Sequence, residues 1–179
     1  MTESRILPEN AVEGAFARMR KTARFYDEAF PVENRNLYLA HLAVAATGTA
    51  LSQAVERYLS TNFGINRARY SLLRALYFAD GHREPQSELA RTLNVTSPNV
   101  TQLIDALERE GLVEREGGDS DRRVTYARLT PSGAARCDEL VPAMAGFMVK
   151  TCAGLSDEEL DTLVNILSKL RSHLEREVD

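Results

Sequence analysis

The sequence predicts a mainly α fold with a small two- or three-stranded antiparallel wing, and three observations carry the prediction. Apolar residues recur at helical spacing over most of the 179 residues. Two predicted helices open on a hydroxyl side chain followed by proline, at Ser97-Pro98 and Thr130-Pro131. Between them lie two short extended runs separated by the turn residues Gly117, Gly118, Asp119 and Ser120. Short helix, tight turn, helix and hairpin, in that order, make a winged helix-turn-helix. Here it is expected to carry N- and C-terminal dimerisation helices.

The chain divides into four expected regions. Residues 1–35 form an N-terminal extension. Its first nine residues are patternless, and Asn10 with Glu13 makes a capping-box-like start. Val12, Phe16, Met19, Ala23, Tyr26 and Phe30 then keep helical spacing up to Pro31, which predicts an extra amphipathic helix that either packs on its own dimer or serves as a separate functional arm. Residues 36–62 form a dimerisation helix whose first half, LYLAHLAVAATGTAL, is apolar nearly all round. Such a helix needs burial on several sides. In a chain this small a second subunit supplies it most economically, so a homodimer is expected.

Residues 63–130 are the expected DNA-binding lobe. Gly64 closes the preceding helix, and Asn66 is placed to cap the next, whose inner stripe is Ala68, Leu72, Leu73, Ala75 and Leu76, up to Gly81. A short helix over 87–93 turns Leu89, Ala90 and Leu93 to one side, and Asn94 is suited to a positive φ in the tight turn. Ser97 is read as the N-cap of the second helix, with Pro98 at its first position. Val100, Leu103, Ile104 and Leu107 form its apolar face, while Asn99, Thr101, Gln102 and Asp105 lie elsewhere. Gly111 is expected to end it in the left-handed conformation. Extended runs over 112–116 and 122–129 make the hairpin, whose tip carries Asp121, Arg122 and Arg123.

Residues 131–179 are the expected C-terminal dimerisation helices. The first runs to about Ala153, with a kink expected at Pro142. Ser156 to Glu159 read as an acidic capping box for the second. Its Leu160, Leu163, Val164, Leu167, Leu170 and Leu174 form a continuous apolar seam, the second part of a dimer interface.

Composition excludes several classes. The longest apolar run, residues 37–51, is interrupted by His41, Thr47, Gly48 and Thr49 and is too short to span a bilayer. With no basic, apolar leader pattern at the N-terminus, a soluble, cytoplasmic protein without a membrane partner is expected. Cys137 and Cys152 have no C-x-x-C spacing and read as reduced, partly buried small hydrophobes. His41, His82 and His173 fall on three separate elements, without metal-ligand spacing. There is no phosphate-cradling glycine loop and no nucleophile elbow, and Asp119 with Asp121 on a hairpin tip lack the burial a catalytic pair needs. No catalytic residue, metal or cofactor is expected.

The net charge of −4 argues against indiscriminate nucleic-acid binding, and acids outnumber bases even over residues 83–131. The cations are local instead. Arg115, Arg122, Arg123 and Arg128 cluster on the hairpin, and Arg57, Arg67, Arg69 and Arg74 follow one another with no acid between them. Modest non-specific affinity with marked salt dependence is expected. For specific recognition, the N-terminal part of the second helix offers Asn99, Thr101 and Gln102 to base edges and Ser97 to a phosphate. Ser87 on the preceding helix and Arg115 on the hairpin complete the candidate contacts. Amide side chains pair with adenine and a threonine methyl touches thymine, which suits an A·T-containing half-site.

The ordered constellation is specific: a capped helix ending in L-x-x-x-G-L-V, a tip reading Asp-Ser-Asp-Arg-Arg, and a strand running into Arg-Leu-Thr-Pro-Ser-Gly. It resembles the MarR family of bacterial transcriptional regulators. The resemblance implies that Asp121 orients the hairpin turn and Arg123 enters the minor groove, with Arg122 as the alternative finger. It also implies a homodimer on double-stranded DNA, acting as a repressor at a near-palindromic operator and released by a small phenolic or aromatic acid. For that effector Tyr38, His41, Tyr58, Phe63, Arg67, Arg69 and Tyr70 offer aromatic walls and a cation, although each aromatic taken singly serves equally well as core. Relatives that sense oxidants through a cysteine in the first helix have no counterpart here. The alternative reading is a winged-helix protein-interaction module without specific DNA binding.

Overall fold

The computed structural model describes residues 9–30, 36–117 and 124–177. Among the described residues seven α-helices and three strands, with a 3-10 turn over Asp80–His82, follow in the order α1 (Glu9–Ala29), α2 (Asn36–Phe63), α3 (Arg67–Phe78), β1 (Arg83–Pro85), α4 (Gln86–Leu93), α5 (Ser97–Arg109), β2 (Val113–Gly117), β3 (Thr125–Leu129), α6 (Pro131–Thr151) and α7 (Asp157–Glu177). The chain separates into two compact units, residues 1–67 and 68–179.

In the first unit α1 packs on α2. The expected extra helix is present, with Ala23 buried on its inner side. Tyr26 stacks on Tyr38 with ring centroids 5.5 Å apart, and the Tyr38 hydroxyl donates to the Phe30 carbonyl at 2.6 Å. Within α2, Leu59 alone is fully buried; Leu37, Val44 and Leu51 are exposed. One chain therefore does not supply the burial its apolar half calls for. Gly64 then takes φ +64, and its N–H donates to the Ser60 carbonyl at 3.1 Å.

The second unit is built on the helical and strand periodicities. Leu72, Leu73 and Leu76 of α3, Leu89 of α4 and Val100, Ile104 and Leu107 of α5 are fully buried, together with Ala127 of β3 and Leu140 of α6. Ala68, expected on the inner stripe, is exposed, and Tyr70 takes a core position instead. The sheet is antiparallel in the order β1-β3-β2 and pairs Arg83 with Arg128 and Val113 with Leu129. Its third strand is the three-residue Arg83–Pro85, an edge position where a proline's missing N–H breaks no ladder.

The turns follow residue chemistry. Asn94 adopts φ 51 and ψ 50 between α4 and α5, while Val95 N–H returns to the Ala90 carbonyl at 3.0 Å. The cap of α5 is Thr96, without a side-chain bond, so Ser97 is the first helical residue and not the expected N-cap. At its other end Gly111 has φ +70, and the N–H groups of Gly111 and Leu112 bond back to the carbonyls of Glu108 and Leu107, both at 2.9 Å. Thr130 caps α6 as expected, accepting from Gly133 N–H at 3.0 Å, and its hydroxyl donates to the Gly111 carbonyl at 2.6 Å. α6 continues through Pro142 to Thr151.

Cys137 is buried, with Sγ 3.7 Å from the Leu73 carbonyl, and burial pushes its thiol up to about 11. Cys152 departs from the expected partial burial: it lies on the turn beyond α6 and is exposed. The capping box of α7 is formed, with Ser156 N–H donating to Glu159 Oε2 at 2.8 Å and Glu159 N–H to Ser156 Oγ at 3.3 Å. The bond from the Ser156 N–H holds the Glu159 carboxyl below its ordinary value. Along α7, Leu163, Val164, Leu167 and Leu174 are exposed, as is Ile166. No helix among the described residues is long and apolar enough to cross a membrane.

Candidate nucleic-acid interface

The apolar stripe of α5 turns its opposite face outward. Ser97, Asn99, Thr101 and Gln102 are all exposed on its first two turns. The Thr101 hydroxyl donates to the Ser97 carbonyl at 3.1 Å, which satisfies the polar atom and leaves the methyl for an apolar contact. Ser87 is exposed at the start of α4. An open groove alongside the turn is lined by Ala90, Arg91, Asn94, Val95, Thr96 and Asn99. Arg91 and Thr96 therefore join the candidate surface, although sequence reasoning did not single them out. The signal was available for Arg91, which lies four residues beyond Ser87 on the same helix and hence on the same face.

Arg115, a candidate DNA contact, is engaged within the chain. From β2 its guanidinium reaches back to α5, where it pairs with the carboxylates of both Asp105 and Glu108. It also donates to the Thr101 carbonyl at 3.4 Å. The other hairpin-root cation is engaged too. Glu116 lies 3.0 Å from Arg83 Nε on one side and 3.0 Å from Arg128 Nε on the other, bridging all three strands. Arg83 further sits 4.0 Å over the Tyr126 ring and donates to the Gly117 carbonyl at 3.3 Å. These contacts stiffen the base of the hairpin. Its tip, with Asp121, Arg122 and Arg123, lies outside the described residues.

The expected effector residues fall on both compact units. Tyr38, His41, Tyr58, Phe63 and Arg67 belong to the first, Arg69 and Tyr70 to the second. Tyr38 and Tyr58 stand twenty residues apart on one continuous helix, about 30 Å at the α-helical rise, so one small molecule does not touch both within a chain. Tyr58 and Phe63 meet edge to face at 5.9 Å, and Arg67 N–H donates to Glu56 Oε2 at 2.9 Å. Arg69 is ion-paired with Glu110 at 2.6 Å. Tyr70 is core: it is 5% exposed, and burial raises its phenol above the ordinary value. Among the described residues no cluster of His, Cys, Asp and Glu is suited to a metal.

Comparisons with known proteins agree with this geometry. The MarR family model matches residues 65–125, from just before α3 to the first residue of β3. The HTH-type transcriptional repressor YetL of Bacillus subtilis is 32% identical over 124 residues, covering 69% of this chain and 74% of the repressor. Among solved structures, Sco3205, a MarR family transcriptional regulator of Streptomyces coelicolor in complex with DNA, superposes with a TM-score of 0.70 at 25% identity, covering 76% of this chain and 89% of the other. A mutant MarR of E. coli complexed with operator DNA gives a TM-score of 0.65, also at 25% identity, over 81% of this chain and 96% of that one.

Proposed function

The chain belongs to the MarR family, whose members are transcriptional regulators and not enzymes, and from that premise we propose that it is a sequence-specific, DNA-binding repressor acting as a homodimer in the cytoplasm. The observation that carries the reading is the exposed row Ser97, Asn99, Thr101 and Gln102 on the second helix of a helix-turn-helix, next to a hairpin with an arginine-bearing tip. The similarity to regulators solved with DNA supports it. Asn99 and Gln102 take adenine edges, the Thr101 methyl meets thymine, and Ser87 and Ser97 contact phosphates. Dimerisation is supported by the apolar residues that α2 and α7 leave exposed in a single chain. Two such subunits match a near-palindromic operator with half-sites about one helical turn apart.

Fluorescence anisotropy with duplex DNA selected from a random pool, followed by sedimentation of the complex, tests the reading. Two chains per duplex, an A·T-containing palindromic consensus and steep weakening with salt are expected. A consensus of G·C pairs alone would overturn the amide assignments. If no duplex is selected at low salt, the protein-interaction module becomes the better reading.

We also propose that a small aromatic or phenolic acid releases the DNA. Tyr58, Phe63 and Arg67, close together in the sequence at the end of α2 and just beyond it, are the subset suited to an aromatic anion. Such a ligand acts only through unequal affinity for the DNA-competent and DNA-incompetent arrangements of the two recognition helices. Salicylate and related acids should therefore raise the melting temperature and weaken the DNA complex together. A panel that changes neither removes the effector from the proposal.

A further inference from the structure

The recognition helix of an acidic protein has to approach a polyanion, and α5 carries two carboxylates on the turns behind its base-reading residues. Asp105 lies four residues beyond Thr101, hence one turn further along the same face, and Glu108 follows within the next turn. Along the helix Asp105 is about 6 Å and Glu108 about 10 Å beyond Thr101, distances at which salt screens a charge only in part. Left uncompensated, they repel the ligand at the place where specificity is read.

We infer that Arg115 is a positioning residue for DNA recognition, acting through α5 and not through contact with the nucleic acid. Its guanidinium takes Asp105 and Glu108 at once and adds a bond to the Thr101 carbonyl, so one side chain from β2 spans the exposed side of α5 from Thr101 to Glu108. The consequence is twofold. The guanidinium halves the charge that the two carboxylates would otherwise turn toward DNA, from −2 to −1, and the angle between recognition helix and β2 is held before the DNA arrives. A lysine does not replace it, because a single ammonium lacks the planar fork that holds two carboxylates together. The pair of contacts also explains why a hairpin arginine is only partly exposed, at 28%. This inference rests on the DNA-binding reading above.

The test measures affinity for the selected duplex, salt slope and melting temperature on the full-length protein. Arg115→Gln is expected to weaken binding at least tenfold, and adding Asp105→Asn with Glu108→Gln to bring it back to within about threefold of wild type. Arg115→Lys should be weaker than wild type by several fold and improve when Glu108→Gln is added. A phosphate contact gives the opposite pattern: lysine is tolerated, neutralising the acids does not rescue Arg115→Gln, and the log-log salt slope falls by about one for each lost contact. That pattern overturns the inference. Failure of the wild-type protein to bind any selected duplex is a separate result and sinks the DNA-binding reading itself. Should Arg115→Gln not fold, the lysine series alone decides.

Discussion

Gly133→Ala is expected to lower the melting temperature by roughly 6–12 °C, although alanine is the better helix former. Helix propensity alone predicts the reverse, a gain of about 1 kcal/mol at an ordinary helical position. Position 133 is not ordinary. A Cβ built there comes within 2.0 Å of the Leu112 carbonyl oxygen and 3.2 Å of the Leu129 side chain. Both the new methyl and the carbonyl belong to fixed backbone, so no rotamer relieves the contact and the first turn of α6 has to lift away. That lift strains three bonds: Thr130 N–H to the Leu112 carbonyl at 3.1 Å, the Thr130 hydroxyl to Gly111, and the cap on Gly133 N–H. Overpacking of this kind costs about 3 kcal/mol at the upper end of its usual range, and each kcal/mol is worth about 2–4 °C in a chain of this size. Thermal melts by circular dichroism decide it. An alanine variant that melts at or above wild type means α6 does not pack on the 111–112 turn as described.

The same junction shows where the sequence was legible and where it was not. Thr130-Pro131, Gly111 and Asn94 each occupy the backbone conformation or cap their chemistry demands, because those demands are local. The apolar stripes of α4 and α5 were equally readable, since a 3.6-residue period survives whatever the partner is. The close approach at Gly133 was hidden, because it depends on a carbonyl twenty-one residues away. β1 was hard to see for the same reason: Arg-Glu-Pro has no alternation of its own and becomes a strand only against β3. Arg115 is the sharpest case. An arginine of the hairpin cluster reads as a nucleic-acid contact, and nothing in its local sequence announces that the fold brings Asp105 and Glu108 against it. Of the aromatics offered for an effector, each of which serves equally well as core, Tyr70 is the one the fold buries. An aromatic at the edge of a polar stretch looks like a pocket wall, yet it lies in the core of the second unit.

Arg123→Ala is expected to weaken binding to the operator by at least tenfold while leaving the melting temperature unchanged. The two halves of that expectation have different grounds. Stability should be untouched because the hairpin is held from its base: β2 and β3 pair from Val113 with Leu129 out to Gly117 with Thr125, and Glu116 ties both to β1 through Arg128 and Arg83. None of these contacts involves the tip. Affinity should fall because Arg115, Arg128 and Arg83 are engaged by carboxylates, and an arginine on the sequence between β2 and β3 suits a minor groove, where negative potential is concentrated. A charge-assisted contact is worth about 1.5 kcal/mol or more, and a dimer makes it twice, so tenfold is a lower bound. The log-log salt slope should fall by about two, one unit for each wing. Running Arg122→Ala beside it identifies the finger: if the loss follows Arg122, the assignment moves by one residue and the mechanism stands. If both variants bind as wild type does, the wing makes no groove contact and recognition rests on α5 alone.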